Sequence, residues 1–280
     1  MNSYASVDSL KGTAVLNVSG TTHDARYRQL LENVSVEVNR LTKREFFTVQ
    51  EARYFDGPGA TELPMGDLIS IGSGSLAEST LMDGTFASVW ATADYVTWPY
   101  NVNPTSTNGN AQPIRRLQVN EHSDGSKSLF DTGQRRFEVK GQWGYSDVGV
   151  SIGVTGSASF NATATAFGVT GTVEIGWTIK TGTERMYVRN VAGTTVTVDR
   201  GVNGYTAGVV ASGSAFTRVE YPGPITEAVI MQAGRLVKRA QGGYAQEIGL
   251  PEAGEVVPII ANGLDRDVRD MLNSYRKLMI

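Results

Sequence analysis

The sequence contains no cysteine. Disulfides, thiolate zinc sites and cysteine nucleophiles are excluded at once. Histidine is nearly as scarce: His23 and His122 are the two in 280 residues, which makes a metal centre built on nitrogen and sulfur ligands a poor expectation. Basic residues show no excess. Lys and Arg number 25 against 28 Asp and Glu, a net charge of −3, and tight duplex binding through many phosphates normally needs the opposite balance. Nowhere is there an apolar run of the roughly 18 residues that a membrane helix requires. The opening MNSYASVDSLKG has neither the basic start nor the apolar stretch of a secretory leader. The expectation is a soluble, cytoplasmically made protein with no cofactor, metal or membrane partner.

What is present is enough for a core. Hydrophobic residues make up 40% and charged residues 19%, which separates the chain from disordered sequences. Helical periodicity is strongest near the ends. Tyr27, Leu30, Leu31, Val34, Val38 and Leu41 recur at steps of three and four, one face of a helix over 21–44. Thr21 followed by Asp24 predicts a capping box at its start. A short helical turn over 4–12 has Ser6 as its cap and Gly12 as its stop. Helices over 224–241, opened by Pro224, and over 264–278, capped by Asn262 or Asp265, carry further apolar stripes.

Between them the period changes. Short strands are predicted at 46–55, 62–63, 68–71, 88–91, 95–98, 114–119 and 136–143, separated by Gly-, Asn- and Pro-rich loops. Residues 148–220 are richer still in Gly, Ser, Thr and Ala. Strands there are expected at 160–167, 184–191 and 194–198, with hairpin signals at Ala192-Gly193 and Asn203-Gly204. The fold class expected is α+β: a small bundle of three to four helices formed by the chain ends, with long β-rich insertions and extended loops. In that division 1–45 and 221–280 form the bundle, 46–147 a β-rich section, and 148–220 an inserted all-β module.

Catalytic signals are weak. Gly149-Val150-Ser151-Ile152-Gly153 fits the nucleophile-elbow pattern, but no helical pattern follows it and both histidines precede it. Gly125-Ser126-Lys127-Ser128 lacks the upstream glycine and the Gly-Lys pair of a phosphate loop. No Asp-x-Asp-x-Asp-Gly calcium pattern occurs. Arg115-Arg116 and Arg135-Arg136 are the most basic spots. They are either solvated strand ends or contacts for an acidic partner or passing DNA. An enzyme is not expected.

Several stretches resemble the tailed-bacteriophage head–tail connector (adaptor) family: YASVDSLKG, NRLTKREFF, RYFDGPGATELPMGDLISI, ATADYVTWPYN, RRFEVKGQWGYSD and YPGPITEAVIMQAGRLVKR, in that order. The segment GTERMYVRNVAGTTVTVDRGVNGYTA is similar to a small β unit of phage virion proteins and interrupts the family pattern. The resemblance implies a structural virion protein that assembles as a ring, commonly of twelve. Such a ring docks under the portal, receives a stopper or tail-completion protein, and lets packaged DNA pass without sequence-specific binding. Its location would be the virion neck, with assembly in the host cytoplasm. It also implies portal contact by the carboxy-terminal residues Arg269, Tyr275, Arg276, Leu278, Met279 and Ile280. The alternative is virion-surface adhesion or glycan binding through the 148–220 module and Trp177.

Overall fold

A computed structural model describes residues 2–14, 16–107, 111–122, 126–241, 247–249, 256–258 and 263–277. Strands account for 36% of the protein, against four short helices among the described residues. The expected helical bundle with β insertions is therefore overturned: the protein is mostly β. Two antiparallel systems make up its bulk, an open sheet and a closed barrel.

The open sheet contains β1 (Val49–Gly57), β2 (Glu62–Glu78), β3 (Ser88–Val89), β4 (Tyr95–Trp98), β5 (Ile114–Val119) and β6 (Gly133–Trp143). Its order is β1-β6-β2-β5-β4, with β3 on the far part of β2. Residues 62–63 and 68–71, expected as separate strands, are parts of one 17-residue strand. Register shifts between Pro64 and Leu68 and between Ile71 and Leu76 break its alternation, so a period of two is not visible along it. The sheet's core is aromatic. Trp90 stacks on Phe130 at 4.5 Å, and Phe137 meets both rings edge-on.

The barrel contains β7 (Val148–Gly156), β8 (Ala166–Thr170), β9 (Thr178–Thr181), β10 (Glu184–Ala192), β11 (Thr195–Asp199) and β12 (Ala215–Glu220). They close in the order β10-β11-β8-β7-β12-β9 around Val154, Val169, Ile179, Met186, Val196 and Phe216. Strands β7, β9 and β12 were not expected. Gly149, Ser151 and Gly153 dilute the alternation of β7, and a bulge between Phe216 and Thr217 shifts that of β12. The strand expected over 160–167 lies later, at β8. Asn203-Gly204 does not close a hairpin. It forms a 3-10 turn in which Gly204, at φ +81°, lies so close to Gln50 of β1 that a Cβ would overlap the Gln50 carbonyl.

The helices are α1 (Val7–Lys11), α2 (Asp24–Thr42), α3 (Gly223–Gln241) and α4 (Arg266–Asn273). Ser6 caps α1 by accepting from Ser9 N–H. No capping box opens α2: Asp24 is instead buried against Lys11, Nζ to Oδ1 3.0 Å. Tyr27, Leu31, Val34 and Val38 pack with Ile225, Val229, Ala233, Val268 and Leu272. Barrel-side residues Ile175 and Val219 belong to this same cluster. A further hairpin, β13 (Glu247–Gly249) with β14 (Val256–Pro258), pairs antiparallel.

Polar contacts lock these parts together. Asp147, between β6 and β7, accepts from Arg185 at 2.7 Å, from Thr48 at 3.3 Å and from Lys180 at 3.4 Å. Buried Glu32 on α2 accepts from Arg28 and from the Tyr187 hydroxyl of β10. The amino-terminal segment is a strap between barrel and helices: Asn2 bonds Asn203, and Val7 N–H donates to the Ile175 carbonyl.

Candidate functional site

A cleft of about 470 Å³ opens where strap, sheet, barrel and helices meet. The strap supplies Ser3, Tyr4, Ala5, Ser6 and Ser9, the β6–β7 link Tyr145 and Ser146, the barrel Trp177 and Arg218, and the start of α3 Pro224 and Thr226. These side chains sit where they do because β7 and β12 are hydrogen-bonded neighbours. Val148 pairs with Glu220, so the chain enters and leaves the barrel at one point, on the cleft's wall.

The floor is aromatic. Tyr4 meets Tyr221 at 4.7 Å, and Tyr145 meets Tyr275 at 5.6 Å, both edge-on. Burial pushes the Tyr221 phenol up to about 12 and raises Tyr145 and Tyr275 as well. All three are neutral hydroxyls near pH 7. Arg218 lies 5.1 Å over the Trp177 ring, and its buried Nε has no protein acceptor. The wall also carries Glu220 and Glu227. Such a surface binds by stacking, hydroxyl bonds and two signs of charge.

The motif serine is not here. Ser151 lies exposed within β7, opposite Thr217 of β12, so it occupies a ladder position and not a strand-to-helix turn. Lys127 Nζ bonds Glu78 and Ser88; Gly125 lies outside the described residues. His23 stands at the start of α2 beside Tyr27, and His122 is exposed in a turn.

The expected basic residues do not form one patch. Arg116 stands opposite Pro64 near one end of β2, and Arg136 pairs with Glu78 at the other. Arg116 is held by Glu62 at 2.8 Å and stacks over Trp98 at 3.8 Å. Arg136 reaches Glu78 and Asp131, both at 2.8 Å. Burial pushes the Glu78 carboxyl up, but bonds from Arg136 and the Trp90 indole, with the Lys127 charge, outweigh it and hold it below the ordinary range. Two of the four guanidiniums are thus committed within the chain. Arg115 and Arg135 remain exposed, the latter over Tyr54 at 4.0 Å.

Among the carboxy-terminal candidates, Tyr275 is half-buried against Phe46 and Tyr145, a packing position as well as part of the cleft. Arg269 and Arg276 are exposed. Leu278, Met279 and Ile280 lie outside the described residues.

One feature was not anticipated. At the far tip of the sheet, Leu81 and Met82 are 80% and 62% exposed, two adjacent large apolar side chains and not a scattered one. The loop is anchored. Ser79 N–H donates to the Arg136 carbonyl and Trp90 N–H to that of Leu76, each at 2.9 Å. Met82 takes φ +54°, and Asp83 accepts the Thr85 amide at 2.8 Å, which holds its carboxyl below the usual range. Phe86 packs on Tyr54 beside them. The sequence signal was Leu-Met between Thr80 and Asp83, a pair of large apolar residues in a polar loop. No family model matches the chain, and no curated protein matches it either.

Proposed function

We propose that the chain is a head–tail adaptor of a tailed bacteriophage. It forms a ring, of twelve subunits by the resemblance, that docks beneath the portal and receives a stopper or tail-completion protein. Packaged DNA passes through it without sequence readout, in a neck assembled in the host cytoplasm. One observation carries the reading: Val148 pairs with Glu220. Because the barrel begins and ends at one point, the connector-like stretches RRFEVKGQWGYSD and YPGPITEAVIMQAGRLVKR meet in space despite the residues between them. Adjacent ends are the geometry that lets a module be inserted without disturbing its host.

The test is the mass of the purified protein by light scattering after size exclusion, alone and mixed with the cognate portal. The expected result is a large closed oligomer, or a monomer that joins the portal in stoichiometric amount. A stable monomer indifferent to the portal rejects the adaptor. A second reading, glycan binding, draws on Trp177 in the hydroxyl-rich cleft. The guanidinium over one face of that ring leaves less of it for a sugar. A shift of the Trp177 indole resonance on adding oligosaccharides, with those of Trp90, Trp98 and Trp143 unmoved, would favour this second reading.

A further inference from the structure

We infer that the Leu81–Met82 tip of one copy seats in the Tyr145–Trp177 cleft of the next. The inference rests on the ring reading and names the two surfaces that make the ring.

Three observations lead to it. The tip and the cleft lie at opposite ends of β6, which runs from Gly133, against Met82, to Trp143, two residues before Tyr145. Eleven extended residues separate them by about 35 Å, so no copy reaches its own cleft with its own tip. A contact between two different patches of the same chain is heterologous, and its repetition closes into a ring or runs on as a filament. The apolar surfaces are also matched in kind. The tip offers an aliphatic and a thioether side chain on an anchored loop, and the cleft offers aromatic walls in a volume large enough for both. Finally, the flanking charges are complementary. Asp83 and Arg135 border the tip; Arg218, whose Nε is unpartnered and whose Nη2 reaches Glu220 at 3.5 Å in a half-exposed pair that leaves the guanidinium open to a second carboxylate, and Glu227 border the cleft. Asp83 against Arg218 and Arg135 against Glu227 gives a pairing with opposite signs at both places.

Since the chain has no cysteine, introduced thiols report only the contact they are placed to probe. Met82→Cys with Thr226→Cys in one chain, oxidised mildly as free protein and as the portal complex, is expected to give a ladder of covalent oligomers that reductant collapses. Val209→Cys with Thr226→Cys, the first 78% exposed on a barrel loop, is expected to give none. Leu81→Asp with Met82→Asp leaves the loop's anchoring bonds in place. It is expected to weaken self-association at least tenfold, with an unchanged far-UV spectrum. A ring whose mass survives the double Asp change, or that yields no ladder, overturns this assignment and leaves the adaptor reading intact. Equal ladders from both cysteine pairs overturn it too. Self-assembly retained with portal binding lost would assign the tip to the portal instead. A monomer indifferent to the portal removes both readings together.

Discussion

The barrel and the open sheet solve the same problem by different means. The barrel closes on itself, so every strand has two partners, and its interior is filled mainly by β-branched side chains. Its loops are tied by one buried pair. Arg200 forms two bonds with Glu184 and three more with the carbonyls of Asn161, Ala164 and Gly208. The sheet ends in edges at β1, β4 and the short β3, and concentrates its packing in stacked aromatics at the tip end. Closure removes unpaired edges, whereas an open sheet leaves edges and loop tips available to a partner. The barrel thus closes its own edges and offers a cleft wall, whereas the sheet keeps open edges and a loop tip.

Four changes test this contrast. The largest effect is expected from Arg200→Ala, which strands a buried carboxylate and is expected to destabilise the barrel by about 3–5 kcal/mol. Trp177 is the one tryptophan within 148–220, so in fluorotryptophan-labelled protein its separate 19F resonance reads the barrel during urea unfolding, and those of the other three tryptophans read the sheet. Should the sheet lose as much stability as the barrel, the two are one cooperative unit and the contrast collapses. Next, Trp90→Ala removes the ring stacked on Phe130 and is expected to cost about 3–4 kcal/mol. The sheet's transition should move while that of Trp177 stays in place.

Glu78→Gln separates the two by pH. The folded carboxyl sits below its unfolded value, so its stabilisation is full above roughly pH 4 and lost as pH falls through the lower folded value. Wild type and variant should therefore differ at neutral pH and converge in acid; a constant gap would refute the ion-pair assignment. The smallest effect, about 1 kcal/mol, is expected from Ser6→Ala, which removes the cap of α1 together with the Ser6 hydroxyl's bond to Glu174 of the β8–β9 loop. Thermal melts that show no change would mean that the strap is held by its other contacts, such as Val7 N–H to the Ile175 carbonyl.

Parts of this architecture were legible in the residues. The stripes of α2 and α3 were readable because Tyr27, Leu31, Val34 and Val38, and Ile225, Val229 and Ala233, keep helical spacing and are buried as that spacing requires. Those stripes also misled the assignment of fold class. Regular helices announce themselves, whereas bulged strands such as β2, β7 and β12 hide their period, and the β content was undercounted. The site was less legible. Arg116 and Arg136 read as solvated strand ends or partner contacts because Glu62 and Glu78, their partners on β2, lie more than fifty positions away. Trp177 was singled out from sequence, but the strap that makes a cleft of its surroundings comes from the other end of the chain.

β6 is flanked on both sides, by β1 from Trp143 to Gly133 and by β2 from Trp143 to Phe137. Pulling the tip away from the junction therefore loads both ladders along the strand axis. The hydrogen bonds resist in shear, all at once, and do not open in succession as a zipper does. A ring member clamped at its tip and at its cleft would carry hoop tension through this strand. In the proposed ring, the element under that tension would be a single eleven-residue strand of the sheet interior.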